Sequence, residues 1–165
     1  FLPLVSRGSA QGDERLYLVW LTLLPFIGAM LMPLVRAQGR SLQTLVAASP
    51  AVIGLVMLGA IAPQVMTGEV PALRAAWVPA LGLDVSLRVD ALGWLFAALI
   101  LGIGLLIIAY TRFYLSPKDD FARFLALLLL FQGAMLGIAL SGNVLLLLIF
   151  WELTSLSSFL LIGFK

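Results

Sequence analysis

The chain contains no cysteine and no histidine. Disulfides, Cys/His metal sites, thiol nucleophiles and imidazole bases are therefore excluded within it, although carboxylate chemistry is not. Charge is scarce as well: 11% of the 165 residues are charged, against 62% hydrophobic. A soluble domain carries roughly 25% charged and 45–50% apolar residues. So few polar side chains cannot coat a soluble globule of this size, and a mean hydropathy of +1.13 says the same. Most of the surface must face lipid. The net charge of +2 is spread over loops, with no basic block of the kind that marks a nucleic-acid footprint. No metal, cofactor or nucleic-acid partner is expected. The chain begins with Phe1 and stops one residue after an apolar run, so a fragment of something longer is expected. Phe1 to Val5 is too short and lacks the basic start of a secretory signal.

Apolar runs then divide the chain. Residues 1–15 are mostly small, polar and mixed in charge, and are read as a flexible lead-in. A spanning helix needs about 20 apolar residues, and 16–35 supplies the first, with Pro25 inside it and Tyr17 and Trp20 at headgroup level. The second span is 42–66, bracketed in its most apolar part by Pro50 and Pro63. Residues 67–90 break the pattern with the turn signals Gly68, Pro71 and Pro79. Within them Leu83 to Asp90 alternates apolar and polar side chains, the period of a half-buried strand. A short strand or hairpin on the membrane surface is expected there, with Arg88 and Asp90 either a structural charge pair or plain surface charges. The remaining spans are 91–115, 124–140 and 144–164. Gly133 and Gly137 of the fourth have the small-xxx-small spacing that permits close helix approach, a weak signal. Ser141-Gly142-Asn143 makes the last two spans an antiparallel hairpin. The fold expected is an all-α membrane bundle of about five transmembrane helices with a short β-like surface segment between the second and third.

Lys and Arg in the short loops set orientation. The side onto which the first span exits holds Arg36, Arg40, Arg112, Lys118, Arg123 and Lys165. The other holds Arg7, Arg15, Arg74 and Arg88. The first side is thus expected to be cytoplasmic, with the N-terminus outside a multi-pass cell-membrane protein.

Between Arg123 and Lys165 the sole charged side chain is Glu152, near the middle of the fifth span. A charge at the centre of a span costs roughly 2.5–3.5 kcal/mol on insertion scales, so such a residue is a functional-site candidate by default. On a helical wheel Ile149, Leu153, Leu156 and Leu160 form an apolar stripe, while Thr154, Ser155, Ser157 and Ser158 sweep round the other side with Glu152 at the border. The hydroxyl arc then suits the bundle interior. Three readings of Glu152 stand side by side. It is a proton carrier, since buried carboxyl groups as a class titrate closer to neutrality. It is a charged partner of a Lys or Arg on another helix. Or it is a neutral acid hydrogen-bonded in a packed interior. No basic residue within the other four spans is expected to pair with it, Arg112 standing at the loop end of the third.

Phe150-Trp151-Glu152-Leu153-Thr154-Ser155-Leu156-Ser157-Ser158-Phe159-Leu160-Leu161-Ile162-Gly163-Phe164 resembles the signature of the A-type membrane protein of the multisubunit (Mrp-type) Na+/H+ antiporters. Leu87 to Leu92 and Phe131 to Gly137 resemble the same family in the same order. The likeness is good from about Trp77, where a region of the chain 5 N-terminal type begins, and rests on hydropathy alone before it. The wider superfamily includes the antiporter-like chain 5 of respiratory complex I. This resemblance implies that Glu152 is the glutamate of the superfamily's fifth helix, working with a lysine of the seventh, which lies with the family's later histidine past Lys165. It implies a secondary transporter rather than an enzyme, assembled with other antiporter subunits in the lipid bilayer and exchanging Na+ or another monovalent cation for protons. Thr154, Ser155 and Ser158 are the hydroxyls expected to support Glu152. The alternatives are a proton-pumping component of the complex I type and a membrane scaffold with a structural Glu152. By itself this stretch is expected not to translocate ions.

Overall fold

In hydrocarbon every backbone N–H and C=O must find a partner within the protein, which leaves the α-helix as the form for each apolar run. The computed structural model describes residues 2–68, 72–78, 80 and 83–164, and of residues 2–15, 72–78 and 83–85 the backbone alone. Pro71, Pro79 and Lys165 lie outside the described residues, as do the side chains of Arg7, Arg15 and Arg74. Five helices and one hairpin follow in order: α1 Leu2–Leu31, α2 Arg40–Met66, β1 Ala72–Val78, β2 Leu83–Arg88, α3 Ala91–Tyr114, α4 Phe121–Leu140 and α5 Val144–Ile162. All five helices contain a stretch long and apolar enough to cross a membrane, and that of α1 is completed by a tighter 3-10 turn over Met32–Val35.

The helix ends obey local chemistry. Asp90, Asp120 and Asn143 stand before α3, α4 and α5, and each side chain accepts a first-turn N–H: from Gly93 at 2.6 Å, Arg123 at 3.2 Å and Leu146 at 2.8 Å. These are N-caps, which satisfy donors that the helix itself cannot. The Asp120 cap starts α4 three residues before the apolar run expected from 124. At the other end of the chain, α1 has helical backbone through the segment read as a flexible lead-in. Extending an existing helix costs far less than nucleating one, so the spanning run carries its polar N-terminal side along. Within α2, Pro50 cannot donate to the Val46 carbonyl, and the Ser49 hydroxyl does so instead at 2.8 Å.

The helix at the centre is α4, which packs against α1, α3 and α5 and touches α2. The core divides into two clusters. One, with Leu18, Leu58, Leu101 and Leu136, reaches Leu87 and Val89 beside the hairpin. The other, with Met32, Ile108, Leu125 and Leu129, lies towards the opposite end at Leu115 and Phe121. Strands β1 and β2 pair antiparallel, Ala72 opposite Arg88 and Arg74 opposite Ser86, with an irregularity between Ala76 and Val78. The expected surface strand is thus half of a two-stranded sheet. It is fastened to the α4–α5 turn by a hydrogen bond from Gly142 N to Ser86 O at 2.7 Å. From Ser86 on, where the side chains are described, the alternation persists: Leu87 and Val89 are buried and Arg88 is exposed.

Candidate functional site: Glu152 on the open face of the fifth helix

Helix α5 is apolar nearly all round, so its own pattern does not choose a face. Steric fit against α4 does. Gly137 leaves a hollow in α4 into which the Phe150 ring sits so closely that a Cβ there would overlap it. Leu146 and Ser157 are buried on the same face, one and two turns to either side. Thr154 and Ser157 spend their hydroxyl protons locally, on Phe150 O at 2.9 Å and Leu153 O at 2.8 Å. Such back-bonding to the preceding turn is the common fate of Ser and Thr inside a helix.

This packing rotates Glu152 to the other side. The carboxylate is exposed on a face shared with Leu145, Leu148, Ser155 and Phe159, which α1 to α4 do not cover. Among the described residues it has no hydrogen bond and no ion pair. The expectation of one hydroxyl arc turned inward with Glu152 at its border is therefore corrected. Ser157 is buried, Thr154 and Ser158 are half-buried, and Ser155 is exposed beside Glu152. Of the apolar stripe, Leu153 is half-buried, whereas Ile149, Leu156 and Leu160 are exposed. Polarity alone misassigned the face because a helix with apolar residues on every side gains little by turning one way or the other.

Arg88 and Asp90 do not form the candidate charge pair. Among the described residues the one ion pair joins Arg36 to Asp120, and Asp90 serves α3 as its cap.

A buried amide also emerges that sequence reasoning quoted merely as part of a motif. Gln132 of α4 is 4% exposed. Its Nε2 donates to Ile100 O of α3 at 3.3 Å, across Gly104, whose missing Cβ makes room for the amide. Oε1 has no partner among the described residues. The available signal was a lone amide in an otherwise apolar span. At one end of the bundle, the α1–α2 and α3–α4 connections meet. Arg40 donates to Leu115 O at 2.9 Å and to Ser116 O at 2.5 Å, and Arg112 donates to Ser41 Oγ at 2.8 Å. Arg36, Arg40, Arg112, Lys118 and Arg123 thus share an end, opposite the hairpin.

Comparisons with known proteins fit this architecture. A family model described as NADH-Ubiquinone oxidoreductase (complex I), chain 5 N-terminus, matches residues 77–125. The A/B subunit of a probable K(+)/H(+) antiporter of Rhizobium meliloti is 42% identical over 164 residues, which is 98% of this chain and 16% of that protein. The A subunit of the Na(+)/H(+) antiporter of Alkalihalophilus pseudofirmus is 43% identical over 148 residues, 88% of this chain and 18% of its own length. Among solved structures, the Mrp complex from Dietzia sp. DQ12-45-1b superposes with a TM-score of 0.70 at 32% identity, covering 88% of this chain and 16% of that one. The membrane-bound sulfane sulfur reductase, an archaeal respiratory membrane complex, superposes with a TM-score of 0.72 at 23% identity, covering 87% of this chain and 22% of that one. The latter is a likeness of fold. The chain spans 16% and 18% of the lengths of these two curated relatives. Over that stretch, and across nearly all of its own residues, this chain is a homologue of the A subunits of monovalent cation/proton antiporters.

Proposed function

We propose that the chain forms part of a membrane subunit in a hetero-oligomeric antiporter that exchanges Na+ or another monovalent cation for protons, and that Glu152 carries the proton. The observation behind this reading is the position of Glu152. It is a lone carboxylate at mid-span, on a helix face that the other four helices leave open, with no cation near it among the described residues. In hydrocarbon such a group is held by a partner or by its own proton. Loading the proton removes the charge and releasing it restores it, so the cost of the charge is what a neighbouring cation on a further helix would regulate. Ser155, one turn on and on the same face, is the hydroxyl best placed to hold water against the carboxyl. Ser158 flanks it. Thr154 has its proton committed to Phe150 O and keeps only acceptor capacity towards the site.

The antiporter relatives support a transporter component rather than an enzyme, and subunits of the same complex as its partners. The cationic end bearing Arg36, Arg40, Arg112, Lys118 and Arg123 is the cytoplasmic one by the positive-inside rule, which puts the N-terminus outside the cell membrane. A second reading, a redox-driven proton-pumping component of the complex I type, is favoured by the chain 5 match over residues 77–125. The subunits that co-purify with the full-length chain separate the two: other antiporter subunits for the first, quinone- and iron–sulfur-binding subunits for the second.

The test is Glu152→Gln in the full-length complex. Cation-driven proton flux into everted vesicles is expected to fall to the level of vesicles without the complex, with assembly intact. Unchanged flux with unchanged assembly overturns the proton-carrier role.

A further inference from the structure

At the cationic end, a cleft of about 320 Å³ opens between the turn that follows α1 and the first turns of α4. It is lined by Pro33, Arg36, Asp120, Ala122, Arg123 and Ala126. Its charge does not balance internally. Asp120 has both carboxylate oxygens committed, one to the Arg36 guanidinium and the other to the Arg123 backbone N–H at 3.2 Å. Arg36 is neutralised in this way, while 66% of its side chain remains exposed. The Arg123 guanidinium lies 5.9 Å from the Phe164 ring centroid and has no ion pair among the described residues. Two guanidinium groups against one carboxylate leave one positive charge over. The partial positive charge of the α4 N-terminus, a helix of 20 residues, adds to it.

The depth of the cleft fits the same partner. The first span ends at Val35 and α4 begins at Phe121, so Arg36 and Arg123 stand where hydrocarbon gives way to headgroups. Ala126 lies one helical turn deeper than Ala122, and with Pro33 these small apolar residues form the membrane-side wall. A guanidinium fork suits phosphate oxygens, and basic pockets between helices at this level are suited to anionic headgroups. We infer that this cleft is a binding site for a singly charged anionic phospholipid of the phosphatidylglycerol kind, its phosphodiester between Arg36 and Arg123 and its glycerol and upper acyl chain against Pro33, Ala122 and Ala126. One phosphodiester charge closes the balance. A zwitterionic lipid brings its own cation to a cleft already positive, and free phosphate leaves the apolar wall uncovered. The inference is independent of the role of Glu152.

The experiment uses the full-length antiporter complex purified in mild detergent and stripped of loosely held lipid. Short-chain phosphatidylglycerol, phosphatidylcholine of the same chain length and inorganic phosphate are titrated separately, with binding read by native mass spectrometry and by the unfolding midpoint. Phosphatidylglycerol is expected to bind and raise the midpoint, and the other two to do neither. Arg123→Gln breaks no ion pair and is expected to weaken phosphatidylglycerol binding about tenfold or more, the worth of one charge-assisted hydrogen bond. Arg123→Lys keeps the charge and restores part of the affinity. Ala126→Leu fills the apolar wall without touching charge and is expected to weaken binding too, which keeps the test alive if Arg123→Gln does not fold. Arg88→Gln, at the hairpin end, binds as the wild type does. Equal binding of phosphatidylcholine, a phosphate effect as large as that of the lipid, or wild-type affinity in both Arg123→Gln and Ala126→Leu overturns the assignment.

Discussion

Phe26 of α1 and Phe150 of α5 lie stacked beside one another on one face of α4, ring centroids 6.5 Å apart and planes inclined by 28°. They meet because α4 is notched at two levels, Gly133 receiving Phe26 and Gly137 receiving Phe150. The small-xxx-small spacing is used here to seat rings from two flanking helices. Through this pair the peripheral α5 is tied to α1 as well as to α4.

Gly137→Ala should therefore cost about 1–3 kcal/mol, the usual penalty of forcing extra atoms into a packed contact. Gly59→Ala, where an added Cβ meets nothing within 4 Å, should be neutral or gain about 0.5–1 kcal/mol from helix propensity. Thermal unfolding of the two purified variants in detergent reads the difference. Equal midpoints would show that the notch does not position α5.

Gly104 and Gln132 should be coupled in the same way. A Cβ at position 104 would occupy the space of the Gln132 amide, so Gly104→Ala is expected to destabilise the wild type. In a Gln132→Ala background most of that cost should vanish, an interaction energy of roughly 0.5–3 kcal/mol in a double-mutant cycle. Additive effects would place the amide elsewhere.

Asp90 and Arg88 separate a cap from an ion pair. Asp90→Ala removes the side chain that accepts Gly93 N and should cost about 1 kcal/mol. Arg88→Ala, at an exposed position, should stay within about 0.5 kcal/mol. Comparable losses in both variants would restore the charge pair.

Arg40 closes the end of α3 by donating to carbonyls of Arg112, Leu115 and Ser116 while lying 4.8 Å from the Phe121 ring centroid. Lysine cannot reproduce a planar fork of donors. Arg40→Lys should lower stability by about 1–3 kcal/mol, with faster amide exchange at the C-terminal turn of α3. Unaltered exchange there would mean that the loop is held by other contacts.

Glu152→Gln should leave unfolding within about 0.5 kcal/mol of wild type in the isolated protein, as a surface change away from bonded partners does. Ser157→Leu, at a fully buried position facing α4, should destabilise it by about 1–3 kcal/mol through overpacking. The reverse ranking would mean that α5 packs through its carboxylate face.

Length and composition of the apolar runs determined that there are five spans, since lipid offers a backbone no partner except itself. The alternation from Leu83 to Asp90 was legible for a similar reason: it rests on the local two-residue period of a strand. Local pattern did not settle anything that depends on a second helix. Glu152 was visible as the expensive residue of its span, but its side of α5 was decided by the Gly137 notch, because apolar surface attracts without direction and only shape selects among nearly equal faces. The pairing of Arg36 with Asp120, 84 positions apart, and the reach of Gln132 to Ile100 exist only once the helices stand side by side. Tertiary structure thus chose the face on which Glu152 stands and the partners of the loop charges, where sequence singled out Glu152 as the candidate.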